Sequence, residues 1–312
     1  MSRILRAAAA QMGPIHRADS RAAVVARLIA LLRQAAKAGC ELVVFPELTL
    51  TTFFPRWWMT DQAEIDAFFE RELPGPETRP LFEEAQRLGI GFYLGYAELT
   101  EEAGETRRYN TSVLVAPDGR FIGKYRKVHL PGHAEHKPEA PFQHLEKRYF
   151  DVGDLGFPVW RAFGALVGMC ICNDRRWPET FRVMGLQGAE LVLLGYNTPD
   201  HNIHYPEPVH LRMFHNRLTM QAAAYQNATW IVATAKAGRE DGFGLIGGSC
   251  IIAPTGEIVA QASGEGDELI AATCDLDLGA YLKETVFDLA RHRRIEHYGL
   301  ITERTGPVPP EE

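Results

Sequence analysis

The chain has 312 residues, 46% hydrophobic side chains and a formal net charge of −7. That is ample apolar material for one large α/β domain, and an acidic balance with no long polybasic run argues against a nucleic-acid partner. No apolar run reaches the roughly 18 residues of a membrane span, so no membrane partner is expected.

Ile4 to Ala10 opens the chain as a first core strand; its apolar part is short and broken by Arg6, unlike a targeting segment. Arg21 to Ala38 predicts an amphipathic helix with Val24, Leu28, Leu31, Leu32 and Ala35 on one stripe. Asp19 or Ser20 can cap it and Gly39 can end it. Leu42 to Phe45 is a short apolar run of the kind covered on both faces. Pro46 ends it and Glu47 follows; carboxylates at the carboxyl ends of such strands tend to face the ligand crevice. Thr78 to Leu88 predicts a helix. Ile90 to Ala97 and Thr111 to Ala116 predict strands, the second followed by a hairpin turn at Pro117-Asp118-Gly119. Another extended segment ends near Lys127.

Residues 131 to 157 carry Pro, Gly and His with little periodicity, and long irregular segments of this kind often act as lids. Leu166 to Ile171 predicts a strand that delivers Cys172 to a turn, and Pro178 can open the next helix, which runs to Leu186. Such a corner predicts a sulfur partly exposed and close to backbone N–H groups that favour a thiolate. Further strands are expected at Leu191 to Leu194, Thr229 to Ala235, Ser249 to Ala253 and Leu269 to Cys274. A hairpin signal lies at Pro254-Thr255-Gly256. Pro208 to Gln226 predicts a long helix with Leu211, Phe214, His215, Leu218 and Ala222 in phase. The Pro-rich residues from Thr305 to Glu312 read as a frayed tail, which leaves 1–304 as the folded unit. Alternating strands and helices with hairpin additions predict an α/β layered fold with a mixed sheet.

His129, His133, His136 and His144 match no recognisable ligand spacing, so no metal site is expected. The five cysteines form neither a disulfide framework nor a CxxC pair. Free thiols fit a cytoplasmic protein.

Glu47, Lys127 and Cys172 together suit one reaction. A thiol needs a base to become a good nucleophile, and a carboxylate can serve. A fixed ammonium and backbone N–H groups can hold the oxyanion that forms. In the segments around these three residues, from about Arg6 to Leu300, the chain resembles the nitrilase superfamily of carbon–nitrogen hydrolases. The Asn173-Asp174 pair after the thiol is similar to the amidase and carbamoylase branches. The runs at 52–57, 129–133, 141–150, 172–179 and 195–199 are similar to the carbamoylases that act on N-carbamoyl-D-amino acids.

The resemblance implies a four-layer α-β-β-α sandwich, a small-molecule substrate, no cofactor, and a homodimer or homotetramer formed through the helical layers. It implies that Cys172 is the nucleophile and Glu47 the proton carrier, with Lys127 and the Asn173 backbone N–H on the oxyanion. Glu146 matches a second carboxylate near the lysine. His129 and His144 are expected to orient Glu47, Glu146 or substrate. Arg176, then Arg175, is expected to bind a substrate carboxylate, near Asn197 and Thr198, while at least one of the two arginines pairs with Asp174 or Glu179. The alternatives are a related amidase or β-ureido acid hydrolase, and a non-catalytic thiol module, against which the intact set of three argues.

Overall fold

The structure is a computed structural model that describes residues 2–201, 203 and 207–311. Strand β1 (Ile4–Gln11), helix α1 (Arg21–Lys37) and strand β2 (Leu42–Val44) come first. Helices α2 (Gln62–Asp66) and α3 (Arg79–Leu88) precede β3 (Gly91–Glu102), β4 (Glu105–Val115) and β5 (Phe121–Arg126). The short helix α4 (Glu146–Tyr149) interrupts the next loop. The second half contains β6 (Val159–Ala162), β7 (Ala165–Ile171), α5 (Pro178–Leu186), β8 (Leu191–Tyr196), α6 (Val209–Asn227) and β9 (Trp230–Ala235). A hairpin of β10 (Ala237–Glu240) and β11 (Phe243–Ile246) follows, then β12 (Cys250–Ile252), β13 (Ile258–Gln261) and β14 (Glu268–Asp275).

The strands form two six-stranded sheets, ordered β14-β1-β2-β3-β4-β5 and β13-β12-β9-β8-β7-β6. Both are mixed: β1, β2 and β3 run parallel, as do β7, β8 and β9, and the outer strands add antiparallel. The sheets face each other with helices outside, the expected four-layer α-β-β-α arrangement. Alternation along β1 shows why the strands read as continuous apolar runs. Ala7 and Ala9 join Val167, Met169 and Leu193 between the sheets, whereas Ala8 and Ala10 join Val24, Leu28 and Leu32 of α1. A strand covered on both faces has no polar side to reveal its period.

Helix α1 begins as its sequence requires. The Ser20 side chain accepts the Ala23 N–H at 3.2 Å, and Gly39, at φ 75°, lets the chain turn away after the last turn. Helix α6 departs from expectation. Phe214 and Leu218, in phase with the predicted stripe, are 54% and 49% exposed, and the buried face carries Arg212, Asn216, Met220, Ala223, Ala224 and Asn227. Hydropathy points the wrong way because the inward polar groups are bonded. Arg212 Nε donates to Pro199 O (2.6 Å) and Asn216 Nδ2 to Tyr196 Oη (3.2 Å).

Two strand glycines let the β2 loop cross between the sheets. A Cβ on Gly195 of β8 would lie 2.5 Å from Glu47 N, and one on Gly95 of β3 would lie 2.5 Å from Pro46 O. Tyr93 of β3 bridges the layers beside them: its hydroxyl donates to Cys170 O and accepts from Gly195 N–H, each at 3.2 Å.

Candidate functional site

The site is built where strands end. Glu47 follows β2 by three residues, Lys127 follows β5 directly, and Cys172 and Asn197 follow β7 and β8 directly. Cys172 opens a 3₁₀ turn over Cys172–Arg176 with φ 47°, a left-handed conformation that non-glycine residues seldom adopt and that costs about 1–3 kcal/mol. Asp174, fully buried, holds this elbow. One carboxylate oxygen accepts from Ile171 N–H (3.0 Å) and the Tyr125 hydroxyl (2.7 Å). The other accepts from His129 N–H (2.9 Å) and lies 2.8 Å from His129 Nδ1. Arg175 completes the turn. Its Nη1 donates to Cys172 O (2.5 Å) and lies 3.7 Å from the sulfur, and its Nη2 donates to Thr198 Oγ1 (2.8 Å).

Glu47, Lys127 and Glu146 form one fully buried charge cluster. Lys127 Nζ donates to Glu47 Oε1 (2.7 Å) and Glu146 Oε2 (2.5 Å). Asn110 Nδ2 donates to the same Glu47 oxygen at 2.8 Å, and the Asn197 N–H donates to Glu47 Oε2 at 2.8 Å. Asn197 Nδ2 also donates to Glu47 O (2.7 Å), and the Cys172 thiol points at Asn197 O (3.8 Å). Asn197 therefore touches both the thiol and the carboxylate. His144 Nε2 lies 3.4 Å from the free oxygen of Glu146.

The proton states follow from burial and charge count. Burial pushes the Cys172 thiol up, the charge of Glu47 adds to this, and Lys127 and Arg175 relieve it only in part. Burial also pushes Glu47 up, and one lysine shared between two carboxylates does not fully offset it. Glu146 is held below the ordinary carboxylate range despite burial, by Lys127 and then His144. Burial alone would lower Lys127, but the sulfur of Cys172 when ionised, and then Glu146 and Glu47, outweigh this and hold the ammonium above its ordinary value. The resting site therefore holds a neutral thiol next to a firmly charged ammonium and a carboxylate raised toward proton-accepting range. That set can support attack by sulfur on a carbonyl, with the carboxylate carrying the proton.

Several sequence expectations need correcting. Cys172 is only 4% exposed, because the turn folds under Arg175, Asn197 and the charge cluster. Its surroundings favour the thiol, not a resting thiolate. His129 orients Asp174 and not Glu47 or Glu146, and its ring stacks between Phe157 and Trp177. Neither Arg175 nor Arg176 has an ion pair with Asp174 or Glu179 among the described residues; the Asp174 oxygens are already engaged by backbone, tyrosine and histidine.

The other expected residues divide between interior and cleft. Asn197 and Thr198 are each 1% exposed and bonded within the protein. A cleft of about 440 Å³ is lined by His144, Phe142, Arg176, Arg212, His215 and neighbouring residues. Arg176 is exposed there, and its Nη1 donates to Asn173 Oδ1 (3.1 Å). Among the described residues it has no carboxylate partner, unlike Arg212, which pairs with Glu207 at 3.0 Å. Asn173 Nδ2 in turn donates to His129 O (3.1 Å). No cluster of three or more His, Cys, Asp or Glu among the described residues is arranged to hold a metal ion.

Asn110, Tyr93 and Tyr125 escaped the sequence reading. Only Asn110 left a trace: Asn110, Thr111 and Ser112 are polar residues inside a strand, and all three are buried.

A model of the carbon–nitrogen hydrolase family matches residues 6–283. The chain is 31% identical to a nitrilase of Pyrococcus abyssi over 86% of its own length and 90% of that protein's. It is 30% identical to an N-carbamoylputrescine amidase of Arabidopsis thaliana, covering 88% of this chain and 89% of that one. The fold superimposes on the crystal structure of a carbon–nitrogen hydrolase from Helicobacter pylori G27 with a TM-score of 0.82, at 24% identity, over 97% of this chain and 99% of that one.

Proposed function

The chain belongs to the carbon–nitrogen hydrolase family, and from that premise we propose that it hydrolyses N-carbamoyl-D-amino acids to the D-amino acid, ammonia and carbon dioxide. Cys172 attacks the ureido carbonyl while Glu47 accepts the thiol proton. Lys127 and the Asn173 backbone N–H hold the oxyanion, and Glu146 keeps the ammonium of Lys127 charged and in place. The terminal C–N bond breaks as Glu47 returns the proton to the departing ammonia, leaving the carbamoylated amino acid on sulfur. Glu47 then activates water, the C–S bond breaks, and the released carbamate falls to amino acid and carbon dioxide. Every step uses these side chains and water.

The observation that carries the choice of substrate is Arg176. It lies in the cleft, exposed and without a carboxylate partner among the described residues. A planar guanidinium there suits a carboxylate, which it can grip with two parallel bonds. Carbamoylputrescine, named for one relative, carries an amine at the corresponding end and would set like charge against Arg176. Arg175 is the second candidate for the carboxylate, but it is committed to Cys172 O and Thr198. Asn197 and Thr198 act indirectly, Thr198 through its bond to Arg175 and Asn197 through its bonds to Glu47. The D configuration rests on the likeness of the quoted runs to carbamoylases of that hand.

The test is product analysis with N-carbamoyl-D- and L-amino acids, N-carbamoyl-β-alanine, N-carbamoylputrescine and simple amides. The highest kcat/KM should fall on the D-carbamoyl acids. Preference for the putrescine derivative or a plain amide would overturn the assignment while leaving the thiol chemistry intact.

The enzyme is proposed to work in the cytoplasm as a homodimer or homotetramer. Support comes from the outer face of α5 and α6, where Val183, Leu186, Phe214, Leu218 and Tyr225 are each at least 40% exposed. Light scattering on Leu218→Glu should then show smaller particles than the parent chain.

A further inference from the structure

A second group of buried charges lies apart from the Cys172 cluster. Arg56 is 3% exposed, and Lys236 and Glu240 are 0% exposed. Glu240 is at the end of β10, and both its oxygens are fully engaged. Oε1 accepts from Arg56 Nη2 (2.6 Å) and Phe53 N–H (2.7 Å). Oε2 accepts from Lys236 Nζ (2.8 Å) and Ile15 N–H (3.1 Å). Lys236 also donates to Thr51 O (2.9 Å), and Arg56 Nε donates to Phe53 O (2.9 Å). The loop at residues 51–56 is thus pinned at both ends to one carboxylate.

That loop leads from the Glu47 strand end to the wall of the cleft. The carbonyls of Pro55 and Arg56 accept from Leu145 N–H and Gln143 N–H, both at 2.8 Å, on either side of His144. The Phe53 ring meets the His144 ring edge-on at 5.8 Å. His144 touches Glu146, and Glu146 takes a bond from Lys127.

We propose that Glu240 is a positioning residue for this hydrolase: by fixing residues 51–56 it sets His144, and through His144 the Glu146–Lys127 pair. The proposal rests on the reading of the Cys172 cluster as catalytic. Its physical basis is directional. Burying three charges is expensive, and well-packed apolar residues would serve stability as well or better. A carboxylate with donors fixed on both oxygens, the Thr52 hydroxyl at 3.2 Å among them, instead determines where one loop sits, and an error of about 1 Å near a reacting centre can cost ~10²-fold in rate.

The test is Glu240→Gln in the full-length protein, with active sites counted by the amount of substrate-derived adduct on Cys172. The expected result is a fall in kcat per active site of roughly 10- to 100-fold, with KM changed by less than about threefold. The loss should not add to that of His144→Ala, because both act through one contact. An unchanged kcat per site, or fully additive losses, would overturn the proposal. Should Glu240→Gln fail to fold, Phe53→Leu leaves the ion cluster intact and removes the aromatic edge. It should lower kcat per site by a smaller factor, again without adding to His144→Ala, and additive losses would likewise overturn the idea. Absence of any Cys172 adduct in the unaltered protein would instead sink the catalytic reading itself.

Discussion

Among the described residues, the buried charge clusters around Glu47 and around Glu240 are built with opposite surpluses. The Glu47, Glu146 and Lys127 cluster has two carboxylates for one ammonium. The Glu240 cluster has two cations for one carboxylate. In the second, Glu240 stays below the ordinary carboxylate range although burial opposes this, because Lys236 and Arg56 both favour its charge. In the first, the lysine is divided, and Glu47 rises. Asn110 Oδ1 and Asn197 Oδ1 are buried next to Glu47 without a hydrogen-bond partner, while beside the Glu240 cluster Thr51 Oγ1 is unpaired but both oxygens of Glu240 are bonded. A cluster that saturates its bonds holds a loop still. A cluster left one charge short keeps a carboxylate near the point of taking up a proton.

The sharpest way to break this contrast is Cys172→Ala. It should abolish turnover, by a factor on the order of 10⁶ if the nucleophile acts as one unit with its partners, while the melting temperature stays close to that of the parent. Mass spectrometry of the unaltered enzyme quenched during turnover should find the adduct on Cys172 and none on Cys170, which is 0% exposed. An active Cys172→Ala protein would end the mechanism.

Next in size are Glu47→Gln and Lys127→Ala, each expected to lose ~10²–10⁴-fold in kcat. They should differ in stability. Lys127→Ala leaves two buried carboxylates facing each other and should unfold more easily by about 3–5 kcal/mol, whereas Glu47→Gln relieves the surplus and should not. Equal stability of the two variants in urea titrations would remove the charge-surplus argument.

Arg176 and Arg56 sharpen the contrast from the side of the cations. Arg176→Ala should cost ~2–4 kcal/mol in kcat/KM for a carbamoyl-D-amino acid and much less for the matching amino amide, with little change in stability. Arg176→Lys should restore only part of the loss. Arg56→Ala should instead lower stability by about 3–5 kcal/mol, since Glu240 loses a buried partner. If Arg176→Ala harms acid and amide substrates equally, the carboxylate site lies elsewhere.

The smallest effect is on pH dependence. Glu47 must be ionised to accept the thiol proton, and its value is raised, so the acid limb of kcat/KM should lie above the ordinary carboxylate value of about 4.3. Glu146 and Glu240 are depressed, so the stability they contribute is complete above about pH 4.3 and is lost as pH falls through their lower folded values. Activity should therefore fail on acidification before the fold does. Coincident loss of rate and of circular dichroism would contradict the assignment of raised and depressed groups.

Much of this was legible along the chain because the three chief site residues each follow a strand. Glu47, Lys127 and Cys172 stand at junctions where apolar runs end, and most strands, the α1 cap at Ser20 and both hairpin turns follow from local chemistry, whereas the short strands β6, β10, β11 and β13 were not read from the sequence. Helix α6 was legible as a helix but not in its orientation. Its inward face holds Arg212 and Asn216, whose partners come from the strand-end loop at Pro199 and from Tyr196. The second charge cluster was not legible at all, since Arg56 and Glu240 are ordinary surface residue types whose burial depends on a partner 184 positions away.

The order of residues by itself determined which groups could react, because a thiol, a carboxylate and an ammonium are fixed by residue type and delivered by local strand ends. Only the tertiary structure decided their proton states and the burial of the thiol. Those depend on desolvation and on which charges share a bond, and the contact that ties Asn197 to Glu47 spans 150 residues of chain.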